Sequence, residues 1–259
     1  MTDSMKKVLV INGSPRKGNT FHLAGVVADE LKRLGGVEVE YLHLSEKRIE
    51  PCRGCGLCMT HGFEKCPIHD DVPWIIAAIQ QSDGVILASP VYVYHISGLT
   101  KILLDRLGAY FHRPAFFGRH AMALATTGFF GTAPTLKYMK SVLGALGFST
   151  VVTAGGQARD LEDRFIAKLE LKAREAARRF HRNLCRGCSV RPSFASLMQF
   201  SFQRKCFTHP GVGRLFPADM EHYTKLAGRI FPVDVPVDLP TRVSAWAAET
   251  FARLFLRIT

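Results

Sequence analysis

No run of this sequence is apolar for the roughly twenty residues that a membrane-spanning helix needs. One long uncharged stretch, residues 84–100, is interrupted by Pro90 and several polar side chains, and reads as a buried strand with its loop. The opening residues Met1 to Lys7 lead straight into a short strand with no small-residue cleavage site, so no secretory signal is read and a cytoplasmic protein is expected. Acidic residues are scarce, 22 Asp and Glu against 34 Lys and Arg, and the net charge is +12. Residues 1–158 hold 16 basic against 12 acidic side chains, while residues 159–259 hold 18 against 10, so most of the excess lies in the last part of the chain. An excess of this kind is compatible with anionic cofactors, an acidic redox partner, nucleic acid or an anionic membrane surface, and a solvated basic face is the simplest account. No nucleic-acid partner is expected. With 47% hydrophobic residues in 259, one large domain, or one domain with an extension, can bury a core.

Cysteines are not paired off either. There are seven, an odd number, and four of them, Cys52, Cys55, Cys58 and Cys66, crowd one segment. In a reducing compartment that pattern argues for a metal or redox role over a disulfide framework. Cys185, Cys188 and Cys206 form a looser second group beside Arg182, Arg186 and Arg191, and read as structural thiols.

What is present is a phosphate-sized loop. Residues 12–20 read Asn-Gly-Ser-Pro-Arg-Lys-Gly-Asn-Thr, after the apolar run 7–11 and before an amphipathic stretch beginning at Phe21. The Gly13 to Gly18 spacing looks like a nucleoside-triphosphate loop, but Asn19 and Thr20 stand where lysine and Ser/Thr should follow. Without that lysine, and without an evident magnesium-binding motif, a nucleotide hydrolase is disfavoured. A single terminal phosphate fits better: helix N–H groups, the hydroxyls of Ser14 and Thr20 and the cation of Arg16 suit flavin mononucleotide. An ordinary polar strand-to-helix turn is the bland alternative.

Strand and helix patterns then alternate. Strands are expected at 7–11, 37–44, 84–89, 121–126 and 151–153, and helices at 21–34, 72–81, 97–109, 135–146 and 161–184. Five of each argue for a doubly wound five-stranded parallel sheet of flavodoxin-like order, whose loops 14–20, 90–97 and 127–134 gather at one edge. After residue 190 the alternation stops. A helix near 193–205, a connection with Pro232, Pro236 and Pro240, and a final amphipathic helix at 243–258 suggest a C-terminal helical extension. The division expected is 1–190 for the flavin-binding domain and 191–259 for an arm. The arm would pack its face of Trp246, Phe251, Leu254 and Ile258 on the domain, on a partner subunit or at a membrane surface.

Gly-Ser-Pro-Arg-x-Gly-Asn-Thr at 13–20, Ser-Pro-Val-Tyr at 89–92 with Ser97-Gly98-x-x-Lys101 and Asp105-Arg106, and Thr126-Thr127-Gly128 come in this order at the ends of expected strands. Together they resemble the NAD(P)H-dependent FMN reductases of the flavodoxin-like superfamily. Ile49-x-Pro51-Cys52-x-x-Cys55-x-x-Cys58, then Cys66 and Asp70-Asp71, resembles their iron–sulfur flavoprotein branch. The resemblance implies an oxidoreductase with FMN as cofactor and NADH or NADPH as hydride donor. Ser14, Arg16, Gly18, Asn19 and Thr20 would hold the phosphate. Pro90, Val91, Tyr92 and Val93 with Thr127, Gly128 and Gly131 would hold the ring, and no catalytic acid or base is required. His95 reads as a proton relay or, more commonly, a satisfied loop histidine. The acceptor would be a small quinone-like molecule or a redox protein, and a homodimer or homotetramer would complete the flavin pocket. A flavin electron carrier that never meets nicotinamide is the alternative. For Cys52, Cys55, Cys58 and Cys66 three readings stay open: a 4Fe-4S cluster, a structural zinc ion and a metal-free loop.

Overall fold

The structure, a computed structural model, describes residues 5–158, 163–186, 191–236 and 238–258. It runs β1 (Lys6–Asn12), α1 (Asn19–Leu34), β2 (Val37–His43), α2 (Leu57–Thr60), α3 (Val72–Gln81), β3 (Gly84–Tyr92), β4 (His95–Ile96), α4 (Gly98–Arg106), α5 (Gly108–His112), β5 (His120–Thr127), α6 (Thr132–Ala145), β6 (Thr150–Gln157) and α7 (Asp163–Arg186). Four further helices follow, α8 (Phe194–Thr208), α9 (Pro210–Leu215), α10 (Pro217–Lys225) and α11 (Leu239–Ile258).

Five parallel strands lie in the order β2-β1-β3-β5-β6, the flavodoxin-like arrangement, with β1 paired on both sides, to β2 and to β3. A sixth strand, β4, pairs antiparallel with the end of β3. It is two residues long, too short for any alternation of side chains to announce it in the sequence.

The central strands β1, β3 and β5 are buried on both faces, which is why they read as continuous apolar runs. Side chains of a strand alternate in direction. Leu9, Ile11, Val85 and Leu87 accordingly face α3, α4 and α6 through Ile75, Leu103 and Met139. Val8, Val10, Ile86 and Met122 face α1 and α7 through Leu23, Val27, Ala173 and Phe180. Glu30 clasps these last two helices: its carboxylate accepts from Arg33 Nη2 at 2.8 Å and from Arg178 Nε at 2.7 Å.

The helix expected over 97–109 is broken at Leu107 into α4 and α5. The C-terminal part carries two helices that the sequence reading left as connection. Both α9 and α10 open on proline, Pro210 and Pro217, a residue that reads as a breaker yet suits a first turn, where its missing N–H has no partner to lose. Pro240 similarly sits at the start of α11, which begins earlier than expected. Helices α8, α10 and α11 enclose their own core of Leu197, Phe200, Phe207, Tyr223 and Ala248. That core docks on the sheet domain through a Phe117–Phe231 ring contact at 4.9 Å and Gln199 Nε2 donating to Ala145 O at 2.8 Å.

Trp246, Phe251 and Leu254 are exposed, because α11 turns its small side to the bundle, with Ala248 and Ala252 wholly buried, so of the packings expected for this face only the one on the chain's own domain is overturned. The side chain of Ile258 and all of Cys188 lie outside the described residues. Among the described residues no helix is long and apolar enough to cross a membrane.

Candidate functional site

Parallel strands all end at the same edge, so the loops after β1, β3 and β5 meet there. Gly13 admits no side chain: a Cβ would stand 1.9 Å from Thr100 Oγ1 and 3.2 Å from the carbonyl of Ala88. This tight approach lets Ser97 Oγ donate to Gly13 O at 2.6 Å while accepting from Thr100 N–H at 3.2 Å as the cap of α4. Ser97 N–H in turn donates to Ser89 Oγ at 3.0 Å. A buried hydroxyl chain thus ties the first loop to the second. Asn12 Nδ2 lies 3.1 Å from His43 Nδ1, joining the ends of β1 and β2.

Within the first loop, Ser14 Oγ donates to Arg16 O at 2.7 Å and Thr20 Oγ1 pairs with Thr126 Oγ1 of β5 at 2.7 Å. Both hydroxyls brace the loop. Asn19 Nδ2 donates to Ala158 O at 3.0 Å, which fixes the start of α1 to the end of β6. No side chain caps α1 at Gly18. The amides of its first turn carry the positive end of the helix dipole, and an anion suits that position. Arg16, exposed, folds back so that its Nε lies 3.8 Å from where a Gly18 Cβ would be, placing a cation beside the same amides.

The second and third loops interlock. Gly131 has φ +96°, and a Cβ there would meet Val91 Cγ1 at 2.9 Å and Tyr94 Cα at 3.1 Å. Thr127 Oγ1 donates to Phe130 O at 2.7 Å, and Thr135 Oγ1 lies within hydrogen-bond reach of Gly131 O and Tyr94 O. Gly128 faces open space. Val93 and Tyr94, the turn between β3 and β4, both have positive φ, 48° and 65°. Asn-Gly is usual in such a turn, and a β-branched residue there stores about 1–3 kcal/mol of strain of the sort found at functional sites. Tyr92, Val93, Tyr94, Phe129 and Phe130 form an exposed apolar rim around the edge. His95 packs on Tyr138, ring centroids 4.3 Å apart, as a structural histidine does. An uncapped helix start, a neighbouring cation, open space beside the Cα of Gly128 and an aromatic rim together fit FMN.

The cysteine segment, between β2 and α3, is held by two arginines. Arg106 and Asp70 form an enclosed ion pair; Arg106 Nη1 also donates to Glu50 O at 3.0 Å, and its Nη2 lies 3.8 Å from Cys66 Sγ. Burial alone would raise the Asp70 carboxyl, but hydrogen bonds from Arg106 and from the N–H groups of Glu50 and Val72 outweigh it and hold it below the usual carboxylate range. Arg113 Nη2 donates to Cys58 O at 2.6 Å and its Nη1 to Met59 O at 3.1 Å. Burial, and then the neighbouring sulfurs of Cys66, Cys52 and Cys55, push the Cys58 thiol up, so the four sulfurs share one neighbourhood. Gly54 and Gly56, both at positive φ, leave open space beside them, and a cavity of about 540 Å³ adjoins Cys66 and Asp70. Among the described residues no three His, Cys, Asp or Glu side chains converge on one metal-ion position. Cys185 and Cys206 are free thiols on α7 and α8, set apart from this loop.

The residues expected around the phosphate and ring therefore fall on three loops at one edge, and the four cysteines on a fourth segment. Sequence reasoning missed the supports. Asn12, Ser97 and Arg106 stood inside quoted motifs, and the glycine or aspartate beside each was the available signal; for Arg113 there was none.

The fold is that of flavodoxin-like proteins, with a helix start suited to an anion at its sheet edge. Residues 6–158 match the family described as NADPH-dependent FMN reductase. An iron-sulfur flavoprotein of Archaeoglobus fulgidus is 37% identical over 152 residues, 58% of this chain and 68% of that one. Another, of Methanocaldococcus jannaschii, is 43% identical over 105 residues, so the chain spans about half (51%) of its length. The chain belongs to the NADPH-dependent FMN reductase family, in its iron–sulfur flavoprotein branch, and is an oxidoreductase. Among solved structures, RosB with bound 8-demethyl-8-formylriboflavin-5'-phosphate superposes with a TM-score of 0.56 at 17% identity, over 91% of this chain and 93% of that one. The NAD(P)H:quinone oxidoreductase of Methanothermobacter marburgensis gives 0.54 at 17% identity, over 68% of this chain and 98% of its own. At these identities the likeness is one of fold.

Proposed function

We propose that this chain oxidises NADH or NADPH at FMN held on the edge of β1, β3 and β5, and passes the electrons to a 4Fe-4S cluster in the cysteine loop or to a small quinone-like acceptor. The observation that carries the reading is the uncapped start of α1 with Arg16 beside it, set in an edge whose three loops are bonded to one another. Bound FMN supplies the hydride acceptor, so the protein needs no acid or base side chain of its own. The first-turn amides of α1, with Ser14, Arg16, Gly18, Asn19 and Thr20, hold the phosphate. Main-chain groups from Pro90 to Val93 and at Thr127, Gly128 and Gly131 orient the ring, and Tyr92 walls one side. The exposed rim of Val93, Tyr94, Phe129 and Phe130 supports a second copy of the chain closing over the site and excluding water, in a homodimer or homotetramer. Cys52, Cys55, Cys58 and Cys66 would hold the cluster. The shared neighbourhood of their sulfurs and the names of the relatives favour it.

The test is a visible spectrum of protein purified without air, with flavin, iron and zinc counted on the same sample, followed by anaerobic addition of NADH and of NADPH. Bleaching of one bound flavin per chain supports the reading. Flavin that neither nucleotide bleaches makes the protein an electron carrier instead, and a chain that binds no FMN overturns it. Arg16→Ala is expected to weaken FMN binding by about 1.5–3 kcal/mol, the contribution of a hydrogen bond to a charged group.

A further inference from the structure

The family match ends at residue 158, yet the cysteine loop is gripped from beyond it. Arg113 reaches the carbonyls of Cys58 and Met59 with separate nitrogens, and its guanidinium is ion-paired with Asp219 of α10. The Asp219 carboxylate is completely enclosed and accepts a second bond from His112 Nδ1 at 2.7 Å. One turn further along α10, Tyr223 donates its hydroxyl to His112 O at 2.7 Å. Helix α10 thus fastens the end of α5 at two points, and through Arg113 it fixes two successive peptide units of the cysteine segment.

We infer that Arg113, anchored by Asp219, is a positioning residue for Cys58, and that the C-terminal helices are thereby part of the redox site. The physical case is the geometry of the fork. A planar guanidinium with donors on two neighbouring carbonyls sets the rotation of the peptide that follows Cys58, and hence the direction in which its sulfur is presented. Asp219 keeps that fork in place. A buried cation deprived of its anion is costly and turns to water, releasing the carbonyls. The inference deepens the cluster reading and rests on it for the role of Cys58 as a ligand, but the fork itself is independent of any metal.

The experiment uses the full chain with Asp219→Asn and, separately, Arg113→Lys, which keeps the cation and loses the fork. In metal-free protein the alkylation of each cysteine by iodoacetamide is followed by mass spectrometry, with Cys185 on α7 as internal reference and FMN affinity as the check on the fold. In iron-loaded protein the decay of cluster absorbance under a chelator and its electron paramagnetic resonance signature are compared. Cys58 is expected to react several-fold faster in both variants while Cys185 and FMN affinity are unchanged, and the cluster to be lost faster with an altered signature. Wild-type reactivity of Cys58 in both variants overturns the inference. If Asp219→Asn does not fold, Arg113→Lys decides alone. If the wild-type protein takes up no iron, the cluster reading fails, and the alkylation contrast still decides whether the fork positions Cys58.

Discussion

At the flavin edge each loop is fixed by bonds to the strand ends beside it, such as Ser97 to Gly13 and Thr20 to Thr126. Between β2 and α3, by contrast, the chain forms one four-residue helix and two single turns, and its anchors are side chains brought from elsewhere, Arg106 and Arg113. The first arrangement follows from sheet topology, since parallel strands bring their loops together whatever lies in the loops. The second depends on a few enclosed charges, each of which must find its partner. A site of the first kind tolerates loss of any one hydroxyl; a site of the second kind fails when one member of a pair is removed.

The largest effect is therefore expected at the cysteine loop. Asp70→Ala leaves Arg106 enclosed without its anion and should lower stability by about 3–5 kcal/mol in urea denaturation, with a double variant that also replaces Arg106 by Leu recovering part of it. FMN affinity per folded molecule should hold. Parallel losses of FMN binding would mean that the two regions are one cooperative unit. A smaller effect with the opposite signature is expected from Gly13→Ala, whose Cβ collides with Thr100 Oγ1. It should cost about 1–3 kcal/mol and weaken FMN binding, measured by flavin fluorescence titration, while iodoacetamide reactivity of Cys58 stays as in wild type.

The smallest effect belongs to Glu30, which touches neither region. The hydrogen bond from Arg33, opposed by burial and helped by Arg178, holds its carboxyl at about 2 instead of 4.5. A depressed acid stabilises the folded state above its unfolded value and loses that contribution as pH falls through its folded one. The stability difference between wild type and Glu30→Gln should be constant above pH 4.5 and shrink toward pH 2. A difference independent of pH over that window would show that packing at this position, and not charge, joins α1 to α7.

Legibility in the sequence followed the same division. Residues 84–89 and 121–126 announce buried parallel strands because both faces are covered, and the first loop announces an anion site because its glycines and hydroxyls lie within nine consecutive positions. The pair of Arg113 and Asp219, separated by 106 positions, carries no local pattern; only the folded chain makes one a partner of the other. Helices α9 and α10 were hidden because proline at a first turn and proline at a break look alike in one sequence. The inward face of α11 was not legible because Ala248 and Ala252 are too small to mark an apolar stripe beside Trp246, Phe251 and Leu254, although close helix contact selects the smaller side chains.

The Asn12–His43 contact bears on the electron path proposed above. His43 is the last residue of β2, so the chain that goes on to carry the four cysteines leaves the sheet beside the strand end from which the phosphate loop departs. The two sites of the relay proposed above would thereby be set on adjacent posts of one frame. Their spacing is governed by the rigid pitch between neighbouring strands, about 4.8 Å, and by the reach of a single loop. Any current between them would cross a gap that the backbone had already measured out, with no need for a moving part.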